Sequence, residues 1–197
     1  MKIDALLAEG VMEGVSADTF GIQQNMTRAQ FAKVLDLSSG VRVDMNVTAS
    51  SFTDVKADDP ANGWSIPYVE AAKKVGLIDG MTDTTFAPGD NVTVGQLATA
   101  LLKSVGKKPD LSGSPWYAKA VQDAKQLGLI AADADGAAAA TRADLVVGGY
   151  AVYKTKLDQS APAPTQAVQV SVVGAKATDA QTVQVRSTSR SIPQKPL

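Results

Sequence analysis

The sequence predicts a mainly α-helical fold built from three helix-loop-helix repeats and followed by a short β segment. Three observations predict it. A glycine precedes a threonine by seventeen positions twice, from Gly10 to Thr27 and from Gly76 to Thr93. The tetrapeptides TRAQ, TVGQ and TRAD begin at Thr27, Thr93 and Thr141. Beyond residue 166, apolar and polar residues alternate at the period of a strand.

The repeats are read as residues 1–45, 46–108 and 109–157, with a linker over 158–166 and a last segment over 167–197. Gly14 matches Gly80 and Phe20 matches Phe86 within the shared spacing. The third repeat joins by a second ruler: Trp116 precedes Gly128 by twelve positions, as Trp64 precedes Gly76, and the loop to Thr141 is four residues shorter. Repeats of this size cannot bury their apolar faces alone, so the three are expected to pack as one composite domain.

Each element follows from local pattern. The first helix of a repeat shows an apolar stripe at Ile66, Val69, Ala72 and Val75, and at Tyr117, Val121, Ala124 and Leu127. Gly76 and Gly128 are expected to end these helices in the left-handed conformation. The second helix opens at Thr27, Thr93 or Thr141, with Gln30, Gln96 or Asp144 three residues on, close to a reciprocal capping pattern. Phe31, Leu97 and Leu145 start its apolar face, continued by Leu35 and Leu101 but by Gly149 in the third repeat. The segment DQSAPAPTQ reads as a linker. AVQVSVVGA and QTVQVRS around KATDA read as a hairpin. That hairpin is expected to be the start of a β-sandwich module or else part of a flexible tail. The counterparts of Phe52 and Trp64 in the first repeat would fall before residue 1, so Met1 is read as the start of an engineered fragment, the alternative being a native protein with a divergent first repeat.

Composition closes off many chemistries. Of 197 residues 45% are hydrophobic, enough for a core, and 19 basic residues against 20 acidic argue against electrostatic capture by nucleic acid or anionic lipid. No apolar run is long enough to span a bilayer. Cysteine and histidine are both absent, which removes thiol nucleophiles, the commonest zinc ligands and the usual general base. No enzyme activity, metal or cofactor is therefore expected. Adjacent Asp58 and Asp59 sit side by side rather than across a cleft as glycosidase carboxylates do. The acidic loop from Asp133 places Gly136 fourth rather than sixth and Ala137 where a calcium ligand is needed.

Phe52, Asp54, Val55, Trp64, GLIDG, FAPGDNVT and the three threonine-led tetrapeptides together resemble S-layer homology domains, over residues 1 to about 155. These are the triplicated modules that hold exported proteins on bacterial cell walls. The resemblance implies a pseudo-threefold trimer within one chain, around a central helical bundle. It implies grooves between repeats that bind secondary cell-wall polysaccharide carrying pyruvate ketals, lined by the Arg of the tetrapeptide, the preceding Asp and Trp, and loop glycines. It further implies an extracellular location, with surface-layer lattice neighbours as partners of the full-length protein. A lattice-forming module without glycan affinity is the alternative.

The residues so singled out are Arg28, Arg142, Asp54, Trp64, Trp116, Gly14 and Gly80. Arg28 and Arg142 occupy the first helical position, where a positive charge opposes the helix dipole at a cost of about 0.3–1 kcal/mol. They are expected to meet the ketal carboxylate, beside helix-start amides, or else to pair with a nearby acid. Trp64 and Trp116 are expected either to face a sugar ring or to pack in the core. Asp54 is expected to accept from sugar hydroxyls or to cap its own following turn. Gly14 and Gly80 would admit a ligand close to the backbone or serve turn geometry. Val94 stands where the other repeats have Arg, and Ala132 replaces the second loop glycine of the third repeat, so the grooves cannot be equal. The groove expected to bind best combines Arg28 with Asp54 and Trp64.

Overall fold

A computed structural model describes residues 2–14, 19–160, 170–177 and 183–189, with residue 160 and the last two stretches as backbone alone. It divides into two units, Met1–Ser160 and Ala161–Leu197. The first is helical: α1 Lys2–Ala8, α2 Arg28–Ser39, α3 Ile66–Lys74, α4 Val94–Ser104, α5 Ala118–Gln126 and α6 Arg142–Ser160, with a 3-10 turn at Gly63–Ser65 before α3. In the second unit β1 Val170–Ala177 pairs antiparallel with β2 Val183–Ser189, Val170 opposite Ser189 and Ala177 opposite Val183, with an irregularity between Val172 and Gly174. Residues 161–166 of the expected linker, 178–182 of the expected turn and 190–197 of the expected tail lie outside the described residues.

The three first helices stop in the same way. Val11, Leu77 and Leu129 each donate an amide across the helix end, to Leu6, Ala72 and Ala124, at 2.9 Å. The glycine between, at φ 65°, 72° and 66°, supplies the left-handed turn that such an ending needs. Val75 and Leu127, expected to extend the apolar stripe, are half-exposed. They stand at the caps, where the chain is already turning away. Ala120, not assigned to the stripe, is buried.

The three second helices begin with reciprocal caps. Gln30 and Gln96 amides donate to the hydroxyls of Thr27 and Thr93 at 3.3 Å, and the side chains return the bond at 3.1 Å. The shorter Asp144 also closes its box: Thr141 N donates to Asp144 Oδ2 at 2.8 Å. A cap satisfies only part of a helix start, and the remaining amides here find acceptors in another repeat. Arg28 and Ala29 donate to Asp90 and Pro88, Val94 and Gly95 to Ala138 and Gly136, Arg142 and Ala143 to Gln24 and Ile22, all at 2.8–3.0 Å. Just before each threonine the chain closes a cycle. Met26 N donates to Ala140 O at 3.0 Å, Ala140 N to Val92 O at 2.8 Å, and Val92 N to Met26 O at 2.9 Å.

Packing is shared across repeats too. α3 lies on α2, α5 on α4 and α1 on α6, so each first helix covers the second helix of a different repeat, while α2, α4 and α6 meet one another. Phe31, Leu35, Leu97, Leu101 and Leu145 fill the middle and are fully buried. In α6 a methyl group at Gly148 would come within 2.3 Å of Leu101, so the missing side chain is what admits α4.

One loop carries strain and a brace. Asp54 accepts amides from Phe86 at 2.8 Å and Ala87 at 2.7 Å, so its carboxylate braces a distant loop rather than capping its own following turn. Ala87 sits at φ 57°, where its counterpart Gly21 has φ 66°. Left-handed backbone costs a residue with a Cβ about 1–2 kcal/mol, partly offset because glycine loses more entropy on folding. Ala87→Gly is therefore expected to stabilise the fold by about 0.5–1 kcal/mol. A thermal melt should rise; an unchanged or lower midpoint contradicts the strain.

Asp36 on α2 is fully buried, and neither carboxylate oxygen has a hydrogen-bond partner among the described residues. Burial pushes its pKa up to about 8. The folded state then holds a proton that the unfolded chain releases near its ordinary value of 3.8. Stability should fall as pH rises from about 4 to about 8, by at most about 1.4 kcal/mol per unit, and level off above. Counted from the capping threonine, Leu102 occupies the same position in α4. Asp36→Leu should exceed the parent in denaturant stability at pH 8, with the gap narrowing towards pH 5. A gap constant over that range excludes the titration.

Candidate functional site

Arg28 and Arg142 do not follow their helices outward into water. Each side chain turns sideways into the loop of another repeat and lies only 4% and 7% exposed. Arg28 Nε donates to Phe86 O at 2.6 Å and its Nη2 to Asp79 O at 2.9 Å, with the guanidinium 4.5 Å from the Phe86 ring centre. Arg142 repeats this: Nε donates to Phe20 O at 2.8 Å, Nη2 to Glu13 O, and the group lies 4.6 Å over Phe20. A guanidinium has five N–H donors, and these bonds use two.

The electrostatics are unusual for a structural arginine. No ion pair among the described residues involves either one. Burial pulls the pKa of both below the ordinary arginine value, an effect that Asp90, Asp54 and Asp79 oppose for Arg28. Both remain cations, largely buried and held by neutral carbonyls. The alternative of pairing with a nearby acid is thus not realised. The open helix start is not realised either. The amides of Arg28, Ala29, Arg142 and Ala143 are consumed by carbonyls, so the helix starts offer an anion no free amide at these positions.

Each arginine borders a cavity made by all three repeats. Arg28 from α2, Asp79, Gly80 and Met81 from the following loop, Gln96 and Lys103 from α4, and Trp116 before α5 line one of about 290 Å³. Arg142 from α6, Glu13 and Gly14 from the first loop, Gln30 and Lys33 from α2, and Trp64 before α3 line the other, about 400 Å³. The expected grouping of Arg28 with Asp54 and Trp64 is thus redrawn: Trp116 joins Arg28, and Trp64 joins Arg142. The cause is that Arg28 reaches into the loop before α4 and Arg142 into the loop before α2, while α5, preceded by Trp116, lies on α4 and α3, preceded by Trp64, lies on α2.

Both tryptophans are about half-exposed, at the cavities rather than in the core. Trp64 donates its indole N–H to Ala61 O at 2.8 Å and meets Tyr68 edge-on. Asp54 lines neither cavity but holds the loop segment whose Phe86 carbonyl orients Arg28. A Cβ at Gly80 would come within 2.3 Å of Thr82 O and 2.5 Å of the Phe52 ring, so loop closure alone requires the glycine.

The third junction lacks this site. Val94 and Gly95 make the same backbone bonds to Ala138 and Gly136, yet no arginine crosses. The shortened loop carries no aromatic counterpart of Phe20 or Phe86. The Tyr117 ring packs there instead, where a Cβ on Gly95 or Gly136 would come within 2.6 or 2.5 Å of it. Sequence reasoning missed Lys33, Lys103 and the stacking role of the phenylalanines; the lysines occupy unmatched repeat positions, so no periodicity marks them.

A sequence profile of the S-layer homology domain matches residues 3–32, 51–98 and 109–146, together more than half of the chain. The chain is similar to a middle cell wall protein of Brevibacillus brevis, 26% identical over 145 residues, covering 73% of this chain and 13% of that protein. It is similar to a cell surface protein of Thermoanaerobacter kivui, 30% identical over 125 residues, 64% of this chain and 16% of that one. An endoglucanase of a Bacillus species is 28% identical over 132 residues, 67% of this chain and 13% of the enzyme. The chain thus spans only a small part of the length of the curated relatives it matches. With its three matched segments, this chain belongs to the S-layer homology domain family.

Proposed function

We propose that this chain anchors a surface protein non-covalently to the bacterial cell wall by holding an acidic wall polysaccharide, one bearing pyruvate ketals, in the two arginine-lined cavities. The module works at the cell wall or cell surface as a binding element and performs no catalysis. An endoglucanase that carries a similar segment over a small fraction of its length fits a module that tethers rather than reacts. The closed cycle of Met26, Ala140 and Val92, with α2, α4 and α6 in mutual contact, supports a pseudo-threefold arrangement around a central helical bundle.

One observation carries the reading. The junction without arginine forms the same backbone bonds as the two junctions with it. The guanidinium is thus not needed to join repeats, and burying it without a directly paired carboxylate costs stability that more distant acids offset only in part. A saccharide carboxylate would supply the missing counter-charge, through donors already fixed by Phe86 or Phe20. The half-exposed indole beside each cavity offers an apolar face to the sugar ring. Two sites per chain follow, not three.

Retention on purified wall polysaccharide, before and after removal of the ketal, tests this. The parent should be retained only on the pyruvylated polymer. Arg28→Ala and Arg142→Ala should each weaken a single class of site by about 1.5–3 kcal/mol in titration calorimetry, and the double substitution should abolish retention. Equal retention on both polymers contradicts the carboxylate role.

A further inference from the structure

The residue that holds each arginine also holds a lysine. Glu13 and Asp79 occupy matching loop positions, three after Gly10 and Gly76. Their carbonyls accept from Arg142 and Arg28. Their carboxylates pair with Lys33 at 3.0 Å and with Lys103 at 2.8 Å. The two lysines come from different places. Counted from the capping threonine, Lys33 stands where α4 has Thr99, and Lys103 where α2 has Leu37. What recurs is the pair rather than the position. At the third junction, where the arginine is absent, the matching loop residue is Ala131. Acid and arginine therefore occur together or not at all.

Acid and lysine both line their cavity, and they differ in exposure. Both lysine side chains are 23% exposed, whereas those of Glu13 and Asp79 are 73% and 80% exposed. The lysines are the more buried partners in the cavity lining, and Lys33 also lies 6.0 Å over the Tyr68 ring that meets Trp64. The acids stand at the rim, where an ion pair is weak and a carboxylate returns to water at little cost.

We propose that Lys33 and Lys103 are specificity-determining residues: each ammonium, kept by Glu13 or Asp79 while the cavity is empty, passes to the carboxylate of the incoming acidic saccharide. This rests on the anionic reading of the cavities given above. The carboxylate is then gripped by guanidinium and ammonium together, and the rim acid is released to solvent. A neutral saccharide cannot displace the acid, so the latch discriminates against it.

Titration calorimetry of the whole chain with a pyruvate-ketal methyl glycoside, and with its neutral methyl ester, tests the proposal. Lys33→Met with Lys103→Met should weaken binding of the acid about tenfold, the loss of one charged hydrogen bond per site. Glu13→Gln with Asp79→Asn should strengthen it several-fold, with the gain shrinking as salt screens the competition. The amide variants are near-isosteric and exposed, so they carry the test alone should the methionine variants lose the fold. If the parent binds acid and ester equally, the anionic reading fails and the latch with it. If the parent prefers the acid while the amide variants bind it no more tightly, the latch alone is overturned.

Discussion

The amides at the start of each second helix need acceptors, and the chain supplies them from a different repeat. A cap from Thr27, Thr93 or Thr141 settles part of the demand, and loop carbonyls elsewhere in the chain settle the next two amides. Unpaired amides buried at a helix end would cost about as much as the hydrogen bonds they forgo. No repeat can therefore complete its own helix. The cycle through Met26, Ala140 and Val92, and the placing of each first helix on another repeat's second helix, express the same dependence at other scales.

This arrangement separates the joining of repeats from the arginine-lined cavities. Backbone bonds recur at all three junctions and need no particular side chain, whereas the guanidinium clamp appears at two. Where the clamp is gone, its loop aromatic and loop acid are gone too, and Tyr117 packs against Gly95 and Gly136. The chain contains its own control: the same fold with and without the charge. Asp54 shows the converse division, a residue that lines neither cavity yet sets the loop whose carbonyl aims Arg28.

Burial of a cation among carbonyls is also what would make the proposed site selective. In water a lone guanidinium attracts an anion weakly, but with low-dielectric walls and one face against Phe86 or Phe20 the attraction is larger. Rigid placement lowers the entropy lost on binding. The half-exposed tryptophans contribute apolar area to each cavity.

Helix positions, their glycine endings and their threonine starts were legible in the sequence, because each depends on residues within four positions of one another. The capping boxes, the left-handed Gly76 and Gly128, and the buried Phe31, Leu97 and Leu145 all follow from local spacing. Candidate residues at the cavities were legible too, as Arg28, Arg142, Trp64, Trp116, Gly14 and Gly80 all line one or the other. Their grouping was not. Which tryptophan meets which arginine depends on how first helices are traded among repeats, and hydrophobic periodicity says only that a face is buried, not against what. Nor could spacing show that Asp54 braces Phe86 and Ala87, or that two lysines at unmatched positions reach matched acids, because those bonds join residues brought near only by folding. Local chemistry belonged to the sequence; the partners across repeats were decided by the tertiary packing.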